Sequence, residues 1–201
     1  DAFSLDEHHV CVAIGDVSGK GMPAALFMVR TMTLLRAEMV KSKGLAECMD
    51  RFNRALCDTN ISHMFVSLVV MRINVFDGTV DYVNAGHSPM LVSTPGEPPL
   101  AVDDSRGLIA GVLEDNAYES GVVRLQAGGR LVIYTDGVTE ARNHTRHFYG
   151  QRRLMDFLAN LDPPDSSRLV DAIFEDVRAF AGDTPQSDDI TIVAVGYRGA
   201  G

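Results

Sequence analysis

Short apolar, β-branched runs punctuate the chain, and three of them abut aspartates. Cys11-Val12-Ala13-Ile14 precedes Asp16, Leu131-Val132-Ile133-Tyr134 precedes Asp136, and Ile190-Thr191-Ile192-Val193 follows Asp188-Asp189. Runs of this kind read as buried strands. The pattern predicts a first strand from about His9 to Gly15, ending in a loop that holds Asp16. It predicts a hairpin of Met64 to Val75 and Thr79 to Ala85, because Asp77-Gly78 between alternating apolar runs favours a tight turn. Further strands are expected at Met90 to Ser93, near Ser120 to Leu125, at Arg130 to Tyr134 after the turn Ala127-Gly128-Gly129, and at Ile190 to Tyr197.

Helical spacing fills the gaps. Pro23 suits the first turn of a long helix reaching about Lys41, whose apolar positions Leu26, Phe27, Val29, Leu34 and Met39 make only a loose stripe. After the break at Gly44, Cys48, Met49, Phe52 and Leu56 define a second helix from Leu45 to about Asp58. Two more are predicted at Gln151 to Asn160 and Ser166 to Ala181, separated by Leu161-Asp162-Pro163-Pro164, with Asp165 or Ser166 as the cap of the second. Thr94 to Pro99 reads as a surface loop and Ala101 to Tyr118 as less regular. Hairpin-linked strands with paired helices give an α+β layered domain of antiparallel sheets, not a doubly wound parallel sheet.

Composition narrows the class. A length of 201 residues fits one domain over 1–201, and 46% hydrophobic with 22% charged residues is ordinary for a soluble protein. No apolar run approaches the roughly 20 residues that cross a bilayer, and no signal-peptide pattern opens the chain. A start at Asp1-Ala2-Phe3 is what a domain excised from a longer regulator would show, with sensor modules and any membrane anchor outside it. The formal net charge of −9 leaves no basic stripe for nucleic acid, Arg152-Arg153 being too short to serve as one. Cys11, Cys48 and Cys57 have no metal-ligand spacing and read as reduced, buried thiols of a cytoplasmic protein.

The aspartates are the candidate chemistry. If the strand ends converge, their carboxylates meet, and such a cluster is unstable unless cations or protons neutralise it. Oxygen-only ligands select Mg²⁺ or Mn²⁺ over zinc. Asp16, in a segment with glycines at 15, 19 and 21, could bridge two cations about 3.5–4 Å apart, with the Val17 carbonyl on one of them. Its alternative role is to cap the following helix. Asp136-Gly137 alone reads more simply as a turn than as a ligand. Asp188-Asp189 places like charges side by side at a strand start, where alternation sends one side chain away from any shared ligand. Asn84 and His87 are more simply turn residues than cleft residues. Glu140 fits either a hydrogen-bond acceptor behind the ligands or a helix-start acid. Met22, Met28, Met32 and Met39 read as core fillers, and no nucleophile elbow is present.

Taken together, four segments resemble the bacterial SpoIIE/RsbU-type serine phosphatases of the metal-dependent protein phosphatase (PPM, protein phosphatase 2C-like) superfamily. They are Asp16-Val17-Ser18-Gly19-Lys20-Gly21-Met22-Pro23-Ala24-Ala25, Asn84-Ala85-Gly86-His87-Ser88-Pro89, Tyr134-Thr135-Asp136-Gly137-Val138-Thr139-Glu140-Ala141 and Asp188-Asp189-Ile190-Thr191. Each alone is weak; their order and joint presence are specific. The resemblance covers essentially the whole chain.

The resemblance implies a four-layer α-β-β-α sandwich with two Mn²⁺ or Mg²⁺ ions. Asp16 would bridge the ions, the Val17 carbonyl would serve one, and Asp136 and Asp188 the other. Asp189, Gly137 and Glu140 would stand behind these ligands. The implied reaction is hydrolysis of a phosphoserine or phosphothreonine by metal-activated water, without a covalent phosphoenzyme. The implied substrate is a phosphorylated STAS-type anti-sigma-factor antagonist, and the implied upstream module a sensor, HAMP or receiver domain. The helices from Pro23 to about Asp58 would be the family's regulatory pair, through which a homodimer is also compatible. One departure stands out: the family's Gly-Gly-Asp-x-x-Asp motif would place its metal-binding aspartate three residues before Asp1, so Asp1-Ala2-Phe3 resembles only its tail.

Two other functions compete with this reading. One is a catalytically weak or inactive domain that binds a phosphoprotein, against which the retention of Asp16, Asp136 and Asp188 argues. The other is a two-metal phosphodiesterase or nuclease, which the acidic charge disfavours.

Overall fold

A computed structural model describes residues 1–58, 60, 63–104, 106–161 and 165–199. In chain order the elements are β1 (Ala2–Ser4), β2 (His9–Val17), α1 (Met22–Lys41), α2 (Leu45–Asp58), β3 (Val66–Asn74), β4 (Thr79–Ala85), β5 (Met90–Ser93), β6 (Leu100–Val102), β7 (Arg106–Gly107) and β8 (Gly121–Arg124). They continue with β9 (Arg130–Tyr134), α3 (Asp136–Thr139), α4 (Gly150–Ala159), α5 (Ser166–Ala181) and β10 (Ile192–Gly196). The chain divides into two compact units, one of Asp1–His87 with Asp103–Arg124, the other of Ser88–Val102 with the chain from Leu125 onward. Among the described residues, no helix is long and apolar enough to cross a membrane.

The first unit is a sheet in the order β1-β2-β3-β4, with β7 and β8 both on β4. All its pairings are antiparallel except the two-residue β7, which runs parallel to β4. Alternation sorts one face of the sheet: Cys11 and Ala13, Leu68 and Val70, Val83 and Ala85 all enter one apolar cluster. Helices α1 and α2 supply most of the rest, with Val66, Ala110 and Tyr118. On α2 the buried positions Leu45, Cys48, Met49, Phe52, Asn53 and Leu56 recur every three or four residues, as a stripe facing a core must. Phe52 is wholly buried there, and Phe52→Ala is expected to cost about 3–5 kcal/mol.

Helix α1 differs from its sequence reading. Its buried positions are Phe27, Thr31, Leu35, Glu38 and Met39, while Leu26 and Val29 are 63% and 64% exposed. Met22, read as a core filler, is 71% exposed; Met39 is buried, and Met28 and Met32 are partly so. A buried glutamate at 38 explains the weak stripe: hydrogen bonds from Lys41 (2.9 Å) and from Arg51 of α2 (2.7 Å) let a charge occupy a core-facing position.

The second unit is an antiparallel sheet in the order β10-β9-β5-β6. Leu91, Val132 and Tyr134 form its apolar face with Val138, Leu154, Leu158, Leu169, Ile173 and Val177 from the helices. Asp165 caps α5, its carboxylate accepting the Arg168 N–H at 2.8 Å. Of the expected breaker between α4 and α5, Asp162-Pro163-Pro164 lies outside the described residues.

The α+β class with two antiparallel sheets and helices is as expected, and so is the Asp77-Gly78 hairpin, where Gly78 takes φ 73°. The turn at Gly128, with φ 81°, also follows the sequence reading. The short β1, β6 and β7 and the single turn of α3 were not legible in the pattern.

Candidate metal centre

In the second unit, the β9–α3 junction and the α5–β10 loop each deliver one carboxylate. Asp136 is the first residue of α3, directly after the extended N-cap Thr135. Asp188 lies four residues before β10 begins at Ile192. Both are exposed, and an oxygen of one carboxylate lies within 4.8 Å of an oxygen of the other. Two negative charges at about 5 Å repel by about 1 kcal/mol even in water, and by more where water is displaced. The donors are all oxygen, which fits a hard divalent cation.

Local structure around Asp188 departs from the strand-start expectation. The Asp188-Asp189 pair sits in a loop, so strand alternation does not separate its side chains. The Asp189 N–H instead donates to Asp188 Oδ1 at 2.8 Å, and the Gln186 side-chain amide donates to the Asp188 carbonyl at 2.7 Å. Gly137 is fixed by close approach: a Cβ there would lie 3.3 Å from the Asp188 carbonyl oxygen and closer still to the Asp189 carbonyl. Glu140 is the exposed C-cap of α3, its N–H on the Asp136 carbonyl at 2.7 Å, so it ends the helical turn and does not start it. Burial pushes the neighbouring Tyr134 phenol up to about 12, which keeps it protonated.

In the first unit, Asp16 is the penultimate residue of β2, opposite Ser67 of β3, and half-buried; it is in the strand, not in the loop after it. Val17 closes the strand opposite Val66. The turn beyond is held by Ser18 N–H on the Phe65 carbonyl (2.9 Å) and Phe65 N–H on Ser18 Oγ (3.0 Å). The N-cap position of α1 is held by Gly21, so Asp16 is not itself the cap residue. The glycines split in purpose. Gly15 is small because a Cβ would meet Leu68 and the Ser67 carbonyl at 2.9 Å, whereas Gly19 and Gly21 adopt φ of 87° and 76°. Asn84 and His87 build a turn, as expected: His87 N–H donates to Asn84 Oδ1 (2.7 Å) and Asn84 Nδ2 to the His87 carbonyl (3.1 Å). His87 Nδ1 also lies 2.8 Å from Ser67 Oγ.

Sequence reasoning missed Thr135 and Gln186, both of which hold the Asp188 loop. A threonine between a buried strand and Asp-Gly was the available signal, but nothing in the local pattern names its partner.

An antiparallel α+β fold thus carries paired exposed carboxylates on separate segments, a set of oxygen donors that could hold a divalent cation. The chain belongs to the SpoIIE family, whose model, Stage II sporulation protein E, matches residues 6–198. It is 30% identical over 226 residues to Protein IcfG of Synechocystis, covering 98% of this chain and 35% of that protein. It is 28% identical over 142 residues to Phosphoserine phosphatase RsbU of Bacillus subtilis, covering 70% of this chain and 42% of that protein. The chain therefore spans well under half the length of these curated relatives.

Its fold is that of the PP2C phosphatase domain of Bacillus subtilis SpoIIE, solved with a fragment of the regulatory domain. The TM-score is 0.83 at 21% identity, over 96% of this chain and 56% of that one. The SpoIIE phosphatase domain has also been solved after presoaking with Mn, with a TM-score of 0.56 at 16% identity over 94% of this chain and 87% of that one.

Proposed function

We propose that this chain is a single Mn²⁺- or Mg²⁺-dependent protein serine/threonine phosphatase domain that hydrolyses phosphoserine on a regulatory protein of the STAS type. Membership of the SpoIIE family and the likeness to a phosphoserine phosphatase support the reaction class. The observation that carries the reading is the pairing of Asp136 with Asp188 across separate segments, with oxygens within 4.8 Å.

In this reading two ions would be held, one by Asp136 and Asp188, the other by the Val17 carbonyl, with Asp16 as a ligand shared by both. Asp189, Gly137 and Glu140 support the ligands from behind. When bound, the cations would supply an acidified water molecule and charge neutralisation for the phosphate. The carboxylates would orient the water, whose hydroxyl goes to phosphorus and whose proton goes to the serine oxygen as the P–O bond breaks, so that serine and inorganic phosphate leave without a covalent phosphoenzyme. The domain works in the cytoplasm under an upstream sensor or HAMP module, as one component of a partner-switching circuit.

The test is Mn²⁺-dependent hydrolysis of p-nitrophenyl phosphate, then of a phosphorylated STAS protein, with Asp188→Ala alongside. Metal-dependent turnover that the substitution abolishes supports the reading. Phosphoprotein binding without turnover would instead assign a binding domain.

A further inference from the structure

Thr135 occupies the point where the β9–β10 ladder gives way to the two carboxylate-bearing segments. The ladder's last regular pair is Ile192 with Tyr134. One step further, the Thr135 N–H donates to the Thr191 carbonyl at 3.0 Å, as an antiparallel pair should. The return bond does not follow the ladder: the Thr135 carbonyl accepts the Val138 N–H (3.1 Å) that closes the turn of α3. The Thr135 hydroxyl takes its place. It accepts the Thr191 N–H at 2.9 Å and donates to the Asp189 carbonyl at 3.0 Å. Thr135 itself is 4% exposed, so its hydroxyl meets these partners from the buried side, where leaving a polar group unmet is costly, although Asp189 and Thr191 are exposed.

From this geometry we infer that Thr135 is the positioning residue that fixes the separation of Asp136 and Asp188. It is covalently joined to Asp136, and its hydroxyl holds Asp189, which is joined to Asp188. One side chain thus ties the backbone beside each carboxylate into a single rigid bracket. Gly137, lacking a Cβ, leaves room for the same Asp189 carbonyl. The bracket offsets the repulsion of the paired charges before any cation arrives, and it demands a hydroxyl: serine can supply it, while valine, of the same shape, cannot.

This inference rests on the metal-centre reading above, and its test uses metal binding as well as turnover. Mn²⁺ affinity is measured by calorimetry for wild type, Thr135→Val, Thr135→Ala and Thr135→Ser, with circular dichroism as the check on folding. Loss of the hydroxyl is expected to weaken Mn²⁺ binding about 10–100-fold, the range found when groups supporting metal ligands are removed. The serine variant is expected to stay within about 2-fold of wild type on the same basis, because it keeps the supporting hydroxyl. Folded valine or alanine variants that bind Mn²⁺ as tightly as wild type overturn the inference, as does a serine variant that weakens as much as valine. Wild type that binds no Mn²⁺ overturns the metal-centre reading itself, and this inference with it.

Discussion

Gly137 lies so close to Asp189 that a Cβ would overlap its backbone carbonyl, whose carbon would be 2.9 Å away. The obstacle is backbone rather than a flexible side-chain end, so Gly137→Ala must push the Asp188–Asp189 loop away from α3. We predict a loss of about 1–3 kcal/mol in unfolding free energy, the usual cost of overpacking. Mn²⁺-dependent phosphatase activity should fall with it. Urea unfolding and a Mn²⁺ titration of activity check both, and an alanine variant of unchanged stability would mean that the loop yields at little cost.

The carboxylate pair also predicts how stability responds to metal. A cation that binds only the folded chain, at 100 times its dissociation constant, adds about 2.7 kcal/mol. For a chain of this size that corresponds to a rise in Tm of roughly 5–10 °C, reversed by EDTA. Asp188→Asn removes a proposed ligand and also the repulsion with Asp136. Its metal-free Tm should therefore equal or exceed that of wild type, while the Mn²⁺-induced rise disappears. Differential scanning calorimetry with and without Mn²⁺ measures both numbers.

Periodicity revealed the elements that bury a face along their whole length. Arg130–Tyr134, Met90–Ser93, Leu45–Asp58 and Ser166–Ala181 have the bounds that the pattern predicts. The strand Ala2–Ser4 is too short to show a period and exists through pairing with Val10 to Val12. Asp136-Gly137 reads locally as a turn; its helical turn follows from Thr135 sitting at the end of β9. The site shows the same division. Asp16, Asp136 and Asp188 stood out as acids beside apolar runs, whereas Thr135 acquires meaning from a bond to Thr191, 56 residues away. Charge at a strand end is visible locally; a hydroxyl that closes a long-range bracket is not.

Thiol reactivity follows from burial. Cys11 and Cys48 lie in the core of the first unit, and burial pushes each thiol up to about 12. Since the thiolate is the reactive form, neither should be alkylated in the native state at pH 8. Cys57 is half-buried, with its thiol on Asn53 Oδ1 at 3.8 Å and its pKa also raised by burial. We predict slow native labelling of Cys57 alone by iodoacetamide, with Cys11 and Cys48 modified only in denaturant. Peptide mass mapping distinguishes the three sites, and early modification of Cys48 would contradict its packing.

Glu38 makes the docking of α1 on α2 sensitive to acid. Its carboxyl is held below the usual range, first by the hydrogen bond from Lys41 and then by that from Arg51. A carboxyl whose pKa is lowered on folding contributes stability that is fully present above its unfolded value of about 4.5, and that is lost as pH falls through the folded value. Both cationic partners are about half exposed, with 55% and 47% of their side-chain surface in solvent, which screens the pair. We therefore expect Glu38→Gln to cost only about 1 kcal/mol at pH 7. The gap between the variant and wild type should stay constant down to about pH 5 and close below about pH 4.5 as Glu38 takes up its proton. Urea midpoints for the two proteins at pH 7, 5, 4 and 3 give the profile. A gap that persists unchanged at the lowest pH would assign the loss to packing at the helix pair, because a charge effect must vanish once the carboxylate is neutral.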